Sequence, residues 1–206
     1  MNPPKTNTPM HPDEALAKLI AGNKRYMAGF DSPDSFKFQD PGIEHHQFPY
    51  ACILGCADSR VSPEHTFDES HGNLFVTRVA GNFVTPEILG SLEYGTAVLG
   101  ASVILVLGHS GCGAVNAAIK AVASKAVFEG HINQLIDSLV PAVEEVRHDD
   151  HEHWKSEAVI RNVSQNVSIL TSSEPILKKR IENGLLKVVG GVYNLHSGEV
   201  SIIKSC

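Results

Sequence analysis

The sequence predicts an α/β fold: a short, mostly parallel four-stranded sheet with helices on its faces and one antiparallel strand added at an edge. Segments typical of strands alternate with segments of helical periodicity, which is the order that builds parallel sheets covered by helices. A closing hairpin near the carboxyl terminus supplies the antiparallel strand. The chain has 206 residues, enough for one well-buried domain. We therefore expect a single domain over residues 13–206, preceded by a disordered or draped arm over residues 1–12.

Four apolar runs rich in β-branched residues predict the parallel strands. In chain order these runs are residues 50–55, 74–80, 103–108 and 185–193. The turn His196-Ser197-Gly198-Glu199 then predicts a hairpin to a fifth strand over residues 200–203. The run over residues 103–108 contains no polar side chain, so we expect it to lie in the buried centre of the sheet.

Apolar residues at helical spacing predict the helices between these strands. The first helix begins at Asp13 and ends near Gly29, and residues 30–47 carry the turn signals of a long loop. Two further helices are predicted to begin at Pro63 and Pro86, since proline is favoured at the first position of a helix. Further helices are predicted over residues 112–123 and 131–146, from about residue 149 through the valines at 159, 163 and 167, and over residues 173–183.

Two histidine-rich stretches resemble metal sites but have simpler interpretations. His45-His46 lies in the polar loop, and adjacent residues do not point the same way, so we interpret this pair as solvated. The run from His148 to His153 contains Asp149 and Asp150, and acidic residues are favoured in the first turn of a helix. We interpret this run as the polar start of a helix.

Charge and hydropathy limit the classes of partner. The formal net charge is −6 and no basic run is present, so neither nucleic acid nor a membrane surface is an expected partner. The longest apolar stretch, residues 97–108, falls well below the roughly 20 residues that a spanning helix needs. The amino terminus lacks the apolar core of a secretory signal, which predicts the cytoplasm, or the periplasm if a signal has been removed.

Soft metal ligands follow two of the predicted strands. Cys56 comes directly after the first strand, and His109 and Cys112 come after the third. The carboxyl ends of neighbouring parallel strands form one crevice, where these side chains can meet. Thiolate and imidazole are the ligands that Zn²⁺ prefers, and three protein ligands leave one tetrahedral position open, as in catalytic sites. The wide separation of Cys56 from the other two argues against a zinc finger.

These motifs carry a resemblance. Cys56-Ala57-Asp58-Ser59-Arg60, followed by His109-Ser110-Gly111-Cys112-Gly113, resembles the Cys-x-Asp-Ser-Arg and His-x-x-Cys-Gly pair of the β-class carbonic anhydrases, and the resemblance covers about residues 12–204. It implies a zinc enzyme that reversibly hydrates carbon dioxide to bicarbonate and a proton, with zinc-bound hydroxide as the nucleophile. The resemblance implies that Cys56, His109 and Cys112 are the metal ligands. It implies that Asp58 and Arg60 are the catalytic pair. The substrate-binding residues would be Gln47, Phe75 and Tyr94.

The resemblance also implies an assembly. Members of the class form homodimers or homotetramers, in which the first helix embraces a partner subunit. The alternative is that this helix packs on its own domain. In members of the class whose aspartate closes onto the metal, a tryptophan stands three positions before the first ligand cysteine. This chain has Ile53 there, which favours a site in which Asp58 stays paired with Arg60.

Two other functions are compatible with the same residues. The first keeps the metal and changes the substrate to carbonyl sulfide or carbon disulfide, since these linear molecules are attacked by the same nucleophile. The second is a non-catalytic protein in which zinc only ties two strand ends together. Release of hydrogen sulfide would distinguish the first of these, and a closed metal site without a substrate cavity would distinguish the second.

Overall fold

The computed structural model describes residues 9–29 and 47–205. The strands are β1 (Ala51–Gly55), β2 (Leu74–Arg78), β3 (Val103–His109), β4 (Lys187–Tyr193) and β5 (Val200–Ser205). The helices are α1 (Pro12–Met27), α2 (Pro63–Thr66), α3 (Pro86–Ala97), α4 (Gly113–Ser124), α5 (His131–Asp137), α6 (Val140–Glu145), α7 (His151–Ser172) and α8 (Ile176–Glu182).

The five strands form one sheet in the order β2-β1-β3-β4-β5. The pairs within β2-β1-β3-β4 are parallel and β5 runs antiparallel to β4, which confirms the predicted fold class. In the pairing of β1 with β3, Gly55 lies opposite Leu107. Cys56 follows Gly55, and His109 comes two residues after Leu107 as the last residue of β3, so both lie at the carboxyl edge where the sequence predicts a site.

Side chains along each strand alternate between the two faces of the sheet, so both faces carry apolar side chains. Helices cover both of these faces. On one face Leu19 of α1 packs in a cluster with Ile53 of β1. On the other face Val163 of α7 packs in a cluster with Leu54. A side chain at Gly108 would lie 2.6 Å from a Val163 methyl, so glycine at this position lets α7 lie close to β3 beside the site.

The first helix packs against its own domain. Ala15 and Leu19 are fully buried, and the Asn23 side chain donates hydrogen bonds to the carbonyls of Thr66 and Gly198. The expected contact of this helix with a partner subunit stays a prediction. Within the part of the chain that the structure describes, no helix combines the length and the apolar character of a membrane span.

One predicted helix is wrong, and the predicted strands differ from the observed ones by one or two residues at their ends. The expected helix over residues 131–146 is instead two helices, α5 and α6. The break precedes Pro141, which has no N–H to donate to the carbonyl of Asp137 four residues earlier. Strand β2 ends at Arg78 rather than at residue 80, and β4 begins at Lys187 rather than at residue 185.

The histidine-rich run before α7 is a helix start, as predicted. The Asp150 carboxylate caps α7 by accepting hydrogen bonds from the N–H groups of Glu152 and His153. Across residues 9–29 and 47–205, the run contributes to no group of three metal-binding side chains whose ligand atoms converge. His45-His46 lies outside the described residues.

Candidate metal centre

Three predicted ligands meet at the carboxyl edge of the sheet. Cys56 is the first residue after β1, His109 is the last residue of β3, and Cys112 precedes α4. One ligand atom from each lies within 4.8 Å of the others, and all three side chains are buried. Among the residues that the structure describes, this is the only group of three or more such side chains with converging ligand atoms.

The spacing of the two sulfurs fits a tetrahedral metal ion. Cys56 Sγ lies 4.0 Å from Cys112 Sγ. Two thiolates at Zn–S distances of about 2.3 Å in a tetrahedral site are separated by about 3.8 Å, whereas a disulfide requires about 2 Å. The two cysteines are thus placed to share an ion rather than to bond to each other.

The His109 ring is oriented by its neighbour. Its Nδ1 lies 3.0 Å from the carbonyl oxygen of Ser110, which can only accept, so Nδ1 carries the proton. The other nitrogen, Nε2, is then a lone-pair donor, and it is buried without a hydrogen-bond partner. A buried ring nitrogen without a partner is costly unless a ligand completes it, so this atom fits the third metal ligand.

Hydrogen bonds favour a thiolate at Cys56. The N–H groups of Gly81 and Asp58 donate to Cys56 Sγ over 3.3 and 3.4 Å. A hydrogen bond from Cys112 lowers the pKa of Cys56, burial opposes this, and the two N–H groups add to the lowering. These contacts favour the thiolate form of Cys56.

The pKa of Cys112 is shifted the other way. Its hydrogen bond to Cys56 and its burial raise this pKa, while two N–H groups at the start of α4, those of Val115 and Ala114, act to lower it. The helix start thus favours the thiolate form of Cys112. The positive charge of a metal ion is needed before both sulfurs are ionised together.

Asp58 and Arg60 form the predicted pair beside the cluster. Arg60 Nε donates to Asp58 Oδ1 over 2.9 Å and Arg60 Nη2 donates to Oδ2 over 2.7 Å, a two-point contact. These bonds hold the pKa of Asp58 well below its usual range. Asp58 Oδ2 lies 3.9 Å from His109 Nε2, so an ionised, fixed carboxylate borders the cluster.

Arg78 supports this turn, a role that the motifs did not reveal. Its Nε donates to the carbonyl oxygen of Cys56 over 2.8 Å, and its Nη2 donates to that of Asp58 over 2.7 Å. Arg78 is the last residue of β2 and pairs with Gly55, immediately before Cys56. An arginine that ends a strand next to the one bearing the ligand is the sequence signal for this contact.

The predicted substrate residues lie elsewhere on the chain. Phe75 pairs with Cys52, and Cys56 is four residues further along, about 13 Å at 3.3 Å per residue. Gln47 precedes β1 and is exposed, and Tyr94 of α3 is 48% exposed with its ring 6.1 Å from that of Phe75. The structure thus groups Phe75 with Tyr94 but brings neither of them, nor Gln47, to the metal ligands of the same chain.

A groove of about 470 Å³ opens beside the cluster. It runs between the start of α4, helix α7 and the strands β4 and β5, and Cys112 is one of its lining residues. Gln47, Phe75 and Tyr94 are not among its lining residues.

Comparisons with known proteins agree with this geometry. The family model described as Carbonic anhydrase matches residues 51–200. Carbonic anhydrase 2 of Mycobacterium tuberculosis is 37% identical over 196 residues, covering 95% of this chain and 92% of that protein. A carbonic anhydrase of Mycolicibacterium smegmatis is 31% identical over 193 residues, covering 93% of each protein.

Solved structures give the same fold. A structure from Sordaria macrospora, described as one of two tetrameric β-carbonic anhydrases, superposes with a TM-score of 0.73 at 22% identity and covers 94% of this chain and 99% of that one. The β-carbonic anhydrase of Coccomyxa, solved with acetazolamide, superposes with a TM-score of 0.70 at 26% identity and covers 94% and 84%. The chain therefore belongs to the carbonic anhydrase family of enzymes, in its β class.

Proposed function

We propose that this protein is a zinc enzyme that reversibly hydrates carbon dioxide to bicarbonate and a proton. The observation that carries the proposal is the buried convergence of Cys56, His109 and Cys112 at the carboxyl edge of the sheet, with the His109 Nε2 lone pair unpartnered. This donor set of two thiolates and one imidazole suits zinc. When bound, zinc supplies the charge that lowers the pKa of a water molecule and makes hydroxide available near neutral pH.

The residues around the ligands have separate roles in this proposal. Asp58, held ionised and fixed at two points by Arg60, accepts a hydrogen bond from the attacking oxygen and so orients its lone pair. Arg78 fixes the backbone of the turn between Cys56 and Asp58. Ile53 is fully buried in β1, where the self-closing members have tryptophan, and the Asp58–Arg60 contact is the arrangement expected of a site that stays open.

The substrate pocket is completed by a second copy of the chain in this proposal. Gln47, Phe75 and Tyr94 are too far from Cys56 along the sheet to act on the metal ligands of their own chain. Tyr94 and Phe48, the residue that follows Gln47, are large and are 48% and 40% exposed, which fits a surface that a second chain covers. A homodimer or homotetramer with sites shared between subunits is therefore the expected assembly.

The alternative substrate gains no support from the comparisons. The relatives described above are named as carbonic anhydrases, and none of those names refers to carbonyl sulfide or carbon disulfide.

A cytoplasmic location and a single domain over residues 13–206 stay predictions from the sequence.

Stopped-flow measurement of carbon dioxide hydration by zinc-quantified protein tests the proposal. We expect one zinc per chain and hydration well above the buffer rate, with both lost in Cys56→Ser because a hydroxyl is a poor zinc ligand. Assaying hydrogen sulfide release from carbonyl sulfide on the same samples separates the two substrates. Protein that holds one zinc per chain but hydrates carbon dioxide no faster than buffer overturns the proposal.

A further inference from the structure

Two buried asparagines on α7 contact the segment that supports Cys56. Asn162 and Asn166 are 2% and 4% exposed, one helical turn apart on the face of α7 that meets the site. Asn162 Nδ2 donates to the carbonyl oxygen of Gly81 over 2.8 Å. Asn166 Oδ1 accepts from the N–H of Val84 over 2.7 Å. The two amides therefore tie residues 81–84 to the helix at both ends.

The asparagines also fix each other. Asn166 Nδ2 donates to the main-chain oxygen of Asn162 over 2.8 Å and to its side-chain Oδ1 over 3.1 Å. With Oδ1 of Asn162 used as an acceptor, its Nδ2 is directed to Gly81. Buried amides that are fully paired in this way hold one orientation, because a flipped amide would leave donors facing donors.

Gly81 joins this network to the metal ligand. Its N–H donates to Cys56 Sγ over 3.3 Å, while its carbonyl accepts from Asn162. The backbone at Gly81 has φ +87°, and a side chain there would lie 2.7 Å from a Leu139 methyl, so only glycine fits. Glycine is also the most flexible residue, so the direction of its N–H depends on what holds the adjoining peptide.

We propose that Asn162, supported by Asn166, is a positioning residue of the metal centre: through the Gly81 backbone it aims an N–H group at the Cys56 sulfur. This inference rests on the proposed zinc site. Hydrogen bonds to ligand atoms set the orientation and the donor strength of a metal ligand, and their loss typically weakens metal binding by about 10–100-fold. The hydrogen bond between Asn162 and Gly81 joins two residues that are 81 positions apart in the chain.

Asn23 provides a matched control. It is also a buried asparagine, 3% exposed, whose amide donates to the carbonyls of Thr66 and Gly198 and accepts from the N–H of Val200. Its three contacts are all backbone groups, and none belongs to the three metal ligands or to Gly81. Asn23→Ala therefore removes a comparable buried amide without touching the proposed network.

The test is metal binding in Asn162→Ala, Asn162→Leu and Asn23→Ala. Leucine keeps the branched shape of asparagine, with two methyl groups in place of the amide atoms, and leaves no cavity, so Asn162→Leu remains informative if the alanine variant folds poorly. We expect both Asn162 variants to raise the zinc dissociation constant by about 10–100-fold and to shift the thiolate-to-metal charge-transfer band of the Co²⁺-substituted protein. Asn166→Ala, which leaves the bond from Asn162 to Gly81 available, should raise the dissociation constant less.

The outcomes separate this inference from the proposed function. Wild-type protein that binds no zinc overturns both. Wild-type protein that binds zinc, together with Asn162 variants whose dissociation constant and Co²⁺ spectrum match it, overturns the positioning role alone. Equal changes in Asn23→Ala and in the Asn162 variants also overturn it, because they indicate a general effect of losing a buried amide.

Discussion

The two ends of the sheet differ in how complete they are within one chain. At the carboxyl end Cys56, His109 and Cys112 are buried, converge, and are supported by backbone and side-chain hydrogen bonds. Toward the amino end Phe75 and Tyr94 make a partly exposed aromatic pair that reaches no metal ligand of its own chain. The candidate metal centre is thus formed within one chain, whereas the substrate pocket proposed above would need a second chain.

The first prediction uses Cys112→Ser, which separates folding from function at the complete end. Cys112 is the residue that precedes α4, and its sulfur makes no capping hydrogen bond of normal length and angle there, although two N–H groups of the helix start act on its pKa. Serine is preferred at such a position, so the metal-free variant should be about 1 kcal/mol more stable than the metal-free wild type. Without the thiolate it should lose zinc and at least about 1,000-fold in kcat/KM, or about 4 kcal/mol of transition-state stabilisation.

Denaturant unfolding in the presence of a chelator and stopped-flow hydration measure the two effects. Cys112→Ala is the matched control, since it removes the thiolate without offering a capping oxygen, and should lose activity without gaining stability. A serine variant that keeps zinc and activity would mean that the carboxyl end does not hold the metal in the way proposed.

Local patterns were enough to predict the carboxyl end. Two strands that each end in soft ligands, in a fold class whose parallel strands place their ends together, determine the site without knowledge of distant contacts. By contrast, Asn162 was not found from the sequence. It lies beside the valine stripe of α7, and its partner Gly81 is remote in the chain, so no short-range spacing marks the contact.

The location of the substrate residues could not be predicted from one chain for a different reason. Gln47, Phe75 and Tyr94 were identified by resemblance, which says what residues do but not which subunit they serve. The break before Pro141 is a simpler case, as the proline was visible but the apolar periodicity on both sides of it outweighed that signal.

The second prediction concerns the carboxylate beside the complete end. Asp58→Asn keeps the shape of the side chain but removes the charge that Arg60 holds in place. Because the amide orients the attacking oxygen less well, we expect kcat/KM to fall by about 100-fold while zinc content stays at one per chain. Hydration rates and zinc content measured on the same samples test this prediction. Loss of zinc in Asp58→Asn would show that Asp58 stabilises the metal ligands rather than orienting the attacking oxygen.

The third prediction tests directly whether the amino end serves a partner. Gln47→Ala should lower kcat/KM by about 10-fold, the usual order for one hydrogen bond to substrate made in the transition state. Co-expression of Gln47→Ala with Cys56→Ser in equal amounts produces mixed dimers, in which one site pairs an intact metal centre with an intact Gln47. Shared sites predict about one quarter of wild-type activity, and sites confined to one chain predict about one twentieth.

Separately purified variants that have not exchanged subunits are the control for that mixture, and they should stay near the lower value. A co-expressed sample that also stays there would mean that Gln47 acts on its own chain, which contradicts the proposed difference between the two ends. Activity of about one half of wild type would mean that Gln47 plays no part, because the Gln47→Ala chains would then be fully active.

The smallest effect on activity is expected at Cys52, a cysteine of β1 that lies between the two ends. It is fully buried, and burial raises the pKa of its thiol to about 12, so it stays protonated and unreactive in the native protein near pH 8. Cys52→Ser should change the zinc dissociation constant and kcat/KM by less than about 2-fold. It should nevertheless destabilise the fold by about 1–3 kcal/mol, since a hydroxyl placed among apolar side chains has to find a partner there.

Alkylation of native and of unfolded protein, read by peptide mass, measures whether the Cys52 thiol is reactive. The amount of zinc that resists a chelator measures whether the metal site is intact. If Cys52→Ser weakened zinc binding as much as Asn162→Ala, the metal centre would depend on the packing of the whole strand rather than on the groups gathered at its carboxyl end.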